Sequence, residues 1–205
     1  MILEINPKHP EPRKIQKVVE VLADGGIIAY PTDTYYGIGC DLLNKTSIEK
    51  IYQLKRRSTN QPFSFICSDL KNISEYAQVT NYAYKTMKRL LPGPYTFVLE
   101  GSRLVPKIML TKRHTVGIRV PDHAICLAIV HEFGHPVIST SASDPENGQI
   151  LATPQEIKER LGHAIDLIVD GGPTAGKPSS VISLIDDNPE VLREGSGDIG
   201  LFRGE

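Results

Sequence analysis

Apolar residues in this chain come in short runs of two different periodicities, and the two kinds interleave without a fixed order. Ile15, Val18, Val19 and Leu22 recur at the spacing of one helix face, and Gly25-Gly26 stops that run. The next run, I-I-A-Y at 27–30, is too short for a helix and halts at Pro31, so it reads as a buried strand. Further helices are expected over 46–57 with Thr46 or Ser47 as cap, over 81–91, and over about 122–133. Another starts at Thr153, a cap with Pro154 at the first helical position. Strands are expected in F-S-F-I-C, Y-T-F-V-L-E, T-V-G-I-R-V-P, D-L-I-V-D-G-G and S-S-V-I-S-L-I, and G-H-P-V-I-S-T-S-A-S reads as a strand running into a loop of small hydroxyl residues. V-L-R-E-G-S-G-D-I reads as the start of a short tail. Regular alternation would give an all-parallel sheet. This irregular order predicts an α/β fold on a mixed parallel and antiparallel sheet. A length of 205 residues, with 40% apolar and 23% charged, suits one domain over 1–205 with a real core.

Charge is sorted along the chain. Residues 50–119 hold 13 Lys/Arg against 3 Asp/Glu, and the remainder holds 10 against 21. The net charge of −1 hides this. A positive block of that kind suits anions: phosphates, carboxylates or nucleic acid. Its densest point is Lys55-Arg56-Arg57. Lys55 and Arg57 are two apart and share no helical face, but they converge if the helix unwinds before Pro62. Arg grips a carboxylate or phosphate bidentately and Lys supplies a point charge; the plainer reading is a solvated basic helix end.

Two small-residue segments follow strands. In P-T-D-T-Y-Y-G-I-G-C (31–40), the hydroxyls of Thr32 and Thr34 lie in a loop with Gly37 and Gly39, which is either a ligand cradle or an ordinary turn before the next helix. S-T-S-A-S (139–143) can offer hydroxyl and backbone donors to an anion, or simply cap itself. Neither is a Walker A loop. Lys85, Lys88 and Arg89 on the 81–91 helix, and Lys112, Arg113 and His114 in a turn, are candidates for a phosphate backbone, though a charge run is more often a solvated face.

Other classes are disfavoured. H-E-F-G-H (131–135) matches a zinc-protease pattern, but Gly134 and Pro136 end the helix where that chemistry needs both histidines on it, so no metal site is expected. Cys40, Cys67 and Cys126 stand apart among apolar residues and read as buried and structural. No tryptophan and 6% aromatic content argue against a large aromatic cage. Without an apolar leader or a membrane-length apolar run, a soluble, cytoplasmic protein is expected.

Taken in order, P-T-D-T-x-Y-G-x-G, K-x-R with a following Pro (Lys55, Arg57, Pro62), L-P-G-P-Y-T, G-I-R-V-P, S-T-S-A, D-G-G, S-S-V-I and L-R-E-G resemble the YrdC-like superfamily, which includes threonylcarbamoyl-AMP synthases. The resemblance covers roughly residues 13–200, and its texture is nearest the YciO branch. It implies a twisted mixed sheet with a basic concave face. It also implies conversion of L-threonine, bicarbonate and ATP, with Mg²⁺ on the ATP, to threonylcarbamoyl-AMP and pyrophosphate, for t6A modification of tRNA. Binding of double-stranded RNA or tRNA is a further implication. By the same resemblance Thr34, Arg119, Ser141 and Ser179 hold threonine, with Arg119 on its carboxylate. Lys55, Arg57, Thr115, Ser143, Thr153 and Arg193 face ATP, and Lys55 and Arg57 are the catalytic pair. The chain departs from the synthase pattern in four places. Ser143 replaces the Asn of S-x-N, Ile66 stands where synthases carry a His, Ser58 replaces a Pro, and two residues are added near 144–147. These departures also admit a nucleotide- or RNA-binding paralogue that has lost the synthase reaction.

Overall fold

The computed structural model describes residues 1–59 and 61–203. The chain opens with a short strand β1 (Ile2–Glu4), then α1 (Pro12–Ala23), β2 (Ile28–Tyr30) and β3 (Gly37–Gly39). Next come α2 (Lys45–Leu54), β4 (Ser64–Ile66), α3 (Leu70–Tyr76), α4 (Asn81–Leu90) and β5 (Tyr95–Glu100). The second half carries β6 (Thr115–Arg119), α5 (Ala124–Phe133), β7 (Val137–Ser141), α6 (Pro154–Leu161), β8 (Leu167–Asp170), β9 (Ser180–Ser183) and β10 (Glu190–Arg193). The ten strands form one sheet in the order β1-β8-β2-β3-β7-β4-β6-β5-β9-β10. Pairs β1/β8, β2/β8, β4/β6 and β5/β9 are parallel, and the other five are antiparallel, so the sheet is mixed as the irregular element order required.

Strand alternation sorts side chains onto two faces. One face carries Ala29, Ile38, Phe65, Phe97, Leu99, Val116, Ile118, Ile138 and Ile182, all buried under α2, α3, α4 and α6. On the other face Ile28, Tyr30, Ile66, Val137, Leu167 and Val169 are buried under α1 and α5. Those two helices reach across only about half of that face. The boundary is visible in the register: Ile66 pairs with Val137 under the helices, and Ser64 pairs with Ser139 beyond them.

Several local readings change. The cap of α2 is Asn44, whose side chain accepts from Ser47 N–H at 3.0 Å, not Thr46 or Ser47. Ser47 is buried and donates to Gly25 O at 2.6 Å. Gly37 and Gly39 are not loop residues; they form β3, antiparallel to β2. A Cβ at Gly37 would lie 3.0 Å from Tyr30 Cζ, and one at Gly39 would lie 2.0 Å from Ile138 O. The glycines therefore let the Tyr30 ring lie across β3 and donate its hydroxyl to Ile138 O at 2.9 Å. β1, β3, α3 and β10 were not anticipated as elements. Each is short, and β1 and β10 are sheet edges. The predicted Thr153 cap is present as a full capping box with Glu156.

Candidate active site

The uncovered part of the sheet face is the floor of a cleft of about 320 Å³. Period-2 alternation supplies it. On β5, Thr96 and Val98 face the cleft while Tyr95, Phe97 and Leu99 face the core. On β6, Thr115, Gly117 and Arg119 face it while Val116 and Ile118 sit in the core. Ser64, Ser139, Ser141, Ser179 and Val181 complete the floor, and Thr34, Arg57, Thr111 and Arg193 stand around it. Three arginines and nine Ser/Thr residues line this space, with no carboxylate among them. Such a lining suits an anion.

Each arginine is held differently. Arg119 is buried, and its Nη2 donates to Asp33 Oδ1 at 2.8 Å and to Thr34 Oγ1 at 2.9 Å. Asp33 is fixed in turn by Asp122 N–H at 3.1 Å. Arg119 Nε has no partner among the described residues. Arg193, at the end of the edge strand β10, donates from Nε and Nη2 to Ser179 O at 3.1 and 2.9 Å, and from Nη2 to Ser179 Oγ at 3.0 Å. The Ser179 hydroxyl is also 2.8 Å from Thr96 Oγ1, so β5, β10 and the residue just before β9 meet at one polar knot.

Arg57 reaches the cleft because α2 unwinds, as the following S-T-N-Q-P suggested. Arg56 N–H bonds Gln53 O at 3.0 Å and Arg57 N–H bonds Tyr52 O at 3.1 Å. That pair of bonds is a Schellman stop, with Arg56 at φ 48° in the position usually given to glycine. The turn sends Arg56 outward to Glu146 at 3.3 Å and swings Arg57 over the Phe63 ring, 5.0 Å from its centroid.

The structure thus brings together Thr34, Arg57, Thr115, Arg119, Ser141, Ser179 and Arg193. It leaves out three predicted residues. Lys55 and Ser143 stand just beyond the lining, bonded to each other. The Lys55 ammonium is pushed down to about 8 by burial and then by the Arg57 charge, against the opposing pull of Asp144. Thr153 lies in a second, more apolar cavity with Ile150, Pro154, Pro173 and Thr174, which shares Tyr35 with the cleft. Its hydroxyl accepts from Glu156 N–H at 3.2 Å. Ile66 is fully buried beneath α1 and α5 rather than in the cleft. The five basic residues assigned to RNA lie on two separate elements. Lys85, Lys88 and Arg89 sit on α4, whose Ala83 and Met87 pack on the sheet face opposite the cleft, while Lys112 and Arg113 lie in the turn beside Thr111 and Thr115.

The H-E-F-G-H segment separates its histidines. α5 stops at Phe133, Gly134 takes φ 84°, and His135 leaves the helix to pack on Phe133 at 4.1 Å. All three cysteines are buried, and burial pushes each thiol up, which keeps them unreactive. Among the described residues, no helix is long and apolar enough to cross a membrane. Sequence reasoning missed Asp33 as the anchor of Arg119, and missed Ser64, Thr96, Thr111 and Gly117 in the cleft. The signal for Thr96 and Gly117 was present: both fall on the polar phase of strands whose other phase is apolar.

The family profile for Sua5, YciO and YrdC, described as telomere recombination, matches residues 20–195. The chain belongs to the Sua5/YciO/YrdC family. It is 41% identical to the Escherichia coli K12 protein YciO over 199 residues, 97% of each chain. The crystal structure of E. coli YciO superposes with a TM-score of 0.93, covering 98% of both chains. A threonylcarbamoyl-AMP synthase of Vibrio vulnificus is 32% identical over 77% of this chain and 86% of its own. The crystal structure of P. abyssi Sua5 complexed with L-threonine is 28% identical, with a TM-score of 0.88 over 95% of this chain and 57% of that one.

Proposed function

We propose that this cleft performs nucleotidyl transfer of the threonylcarbamoyl-AMP synthase type, turning L-threonine, bicarbonate and ATP into threonylcarbamoyl-AMP and pyrophosphate. The observation that carries the reading is the lining itself, three arginines among hydroxyls with no carboxylate. Every reactant here is an anion or becomes one. The threonine amine condenses with bicarbonate, losing water, to give a carbamate. A carbamate oxygen then attacks the α-phosphorus of ATP, the bond from that phosphorus to the bridging oxygen breaks, and pyrophosphate leaves with the electron pair. Positioning and positive charge supply the catalysis, and no covalent nucleophile on the protein is needed.

Arg119 takes the threonine carboxylate in this scheme. Asp33 and Thr34 fix its Nη2 side, which orients the guanidinium at the cleft wall. Thr34, Ser141 and Ser179 surround the rest of the amino acid, and Arg57, Thr115 and Arg193 face the phosphates. A nucleotide extending past Tyr35 would reach the cavity that holds Thr153. A cleft without carboxylates does not fit a resident metal, so Mg²⁺ enters as part of the substrate MgATP. The product's use in tRNA t6A modification belongs to the same reading. Lys112 and Arg113, between the cleft residues Thr111 and Thr115 in the chain, are the basic residues this reading assigns to an RNA that approaches the cleft.

The test is pyrophosphate release from MgATP by the purified protein, omitting threonine and bicarbonate in turn. Release that needs both supports the reading. No release from a folded protein favours the second reading, a nucleotide-binding paralogue without synthase activity. One observation favours that alternative: Ser143, which replaces the Asn of S-x-N, accepts from Lys55 and does not line the cleft.

A further inference from the structure

Lys55 is the obvious lysine for a phosphate, yet its geometry assigns it other work. A lysine ammonium has three N–H donors and no acceptor. Here Nζ donates to Ser141 O at 3.2 Å, to Ser143 O at 2.9 Å and to Ser143 Oγ. Those three acceptors use all three donors. They lie on the last residue of β7 and on the turn just after it, where Ser143 makes a lone bridge to Ile150 and Asp144 N–H bonds Gln149 O at 2.8 Å. One residue on, Arg56 reaches Glu146 in the same turn at 3.3 Å. The unwound end of α2 is thereby tied twice to the 143–150 turn. Between the ties and the core runs Ala142, fully buried, its N–H on Tyr36 O at 2.7 Å. Ser141 and Arg57, at the two ends of this arrangement in the chain, both line the cleft.

We propose that Lys55 is a positioning residue that clasps Ser141 and Ser143 to hold the end of β7 in the cleft that Arg57 also lines, and that Ser143 is the hook of this clasp rather than a nucleotide ligand. The ligand part of the proposal rests on the anion reading of the cleft; the clasp itself does not. In this chain the S-x-S sequence therefore has a stated consequence. A hydroxyl and a carbonyl on one residue can both accept from a single ammonium, which fixes the turn at the expense of a free lysine in the cleft.

Two measurements on Lys55→Met, Ser143→Ala and the double variant test this. Without ligand, amide hydrogen exchange at Ala142 and Asp144 should speed up about tenfold or more in Lys55→Met, which removes all three bonds, and by a smaller factor in Ser143→Ala, which removes only the bond to Oγ. The double variant should be no faster than Lys55→Met, because both changes cut the same tie. Unchanged exchange overturns the clasp, whether or not the protein binds a nucleotide. With MgATP as titrant, Ser143→Ala should weaken binding less than Lys55→Met, and the double variant should match Lys55→Met. Additive losses, or tighter binding in Ser143→Ala as the lysine is freed, would show that Lys55 meets phosphate directly and overturn the proposal. A wild-type protein that binds no MgATP while the exchange pattern holds would sink the functional reading and leave the clasp standing.

Discussion

One face of one sheet is used in two ways. Under α1 and α5 its outward residues are Ile28, Tyr30, Ile66, Val137, Leu167 and Val169. Past the boundary between Ile66/Val137 and Ser64/Ser139, the same alternation presents Ser64, Thr96, Thr115, Gly117, Arg119 and Ser139. The opposite face is largely apolar in both halves, with Ala29 and Ile38 in one and Phe65, Phe97 and Ile118 in the other, so the core does not distinguish them. What differs is the chemistry of the outward phase. An apolar outward phase recruits a helix; a hydroxyl-and-arginine phase stays open to an anion. The site is the part of the sheet that the fold declines to cover.

The comparison breaks most severely at Arg119. Its ion pair with Asp33 leaves only 9% and 10% of the two side chains exposed, so removing one partner strands a charge. Arg119→Met should lower stability by about 3 kcal/mol and abolish binding of an amino-acid carboxylate, as read by urea unfolding and calorimetry. A matched pair of substitutions sharpens the contrast between the halves. Val137→Thr places a hydroxyl under α1 and α5 and should cost about 2 kcal/mol, whereas Val98→Thr in the cleft floor should stay within about 0.5 kcal/mol. Equal losses in chemical denaturation would mean that both halves are equally dry.

The smallest effect is on pH dependence. In the folded protein the Lys55 ammonium is held down to about 8, below its unfolded value, by burial and Arg57 against Asp144. Protonated Lys55 therefore opposes folding, and that penalty is relieved as pH rises from about 8 towards the unfolded value. Wild-type stability relative to Lys55→Met should increase over that window. A neutral amine has only two N–H donors, so the hold on Ser141 and Ser143 should loosen over the same window. Parallel stability curves for the two proteins between pH 7.5 and about 10 would remove Lys55 from this account.

Much of this was legible in the chain. The helix starting at Thr153-Pro154, the strand ending at Pro31 and the unwinding of the second helix before Pro62 follow from local chemistry, though that helix ends at Leu54 and not at 57, and the mixed sheet follows from the order of short runs. The arginines were found through motif and charge. Their supports were harder to read. Asp33 lies 86 residues from Arg119, and its role needs the crossing of β2 and β6 environments that no local pattern encodes. The G-x-G of 37–39 looked like loop flexibility, and only the Tyr30 ring lying across it shows why glycine is required. Lys55 and Ser143 are 88 residues apart, so their contact became visible only when α2 and β7 were set side by side.

Calorimetric titration of inorganic pyrophosphate into the wild-type protein and into Arg57→Met tests the central claim most directly. Arg57 stands at the cleft edge on an unwound turn, so its loss should not unfold the protein. The account expects saturable binding to the wild type and a loss of about tenfold or more in the variant. Equal affinity in both proteins, or no binding to the wild type, would contradict the reading of the open half of the sheet as an anion site.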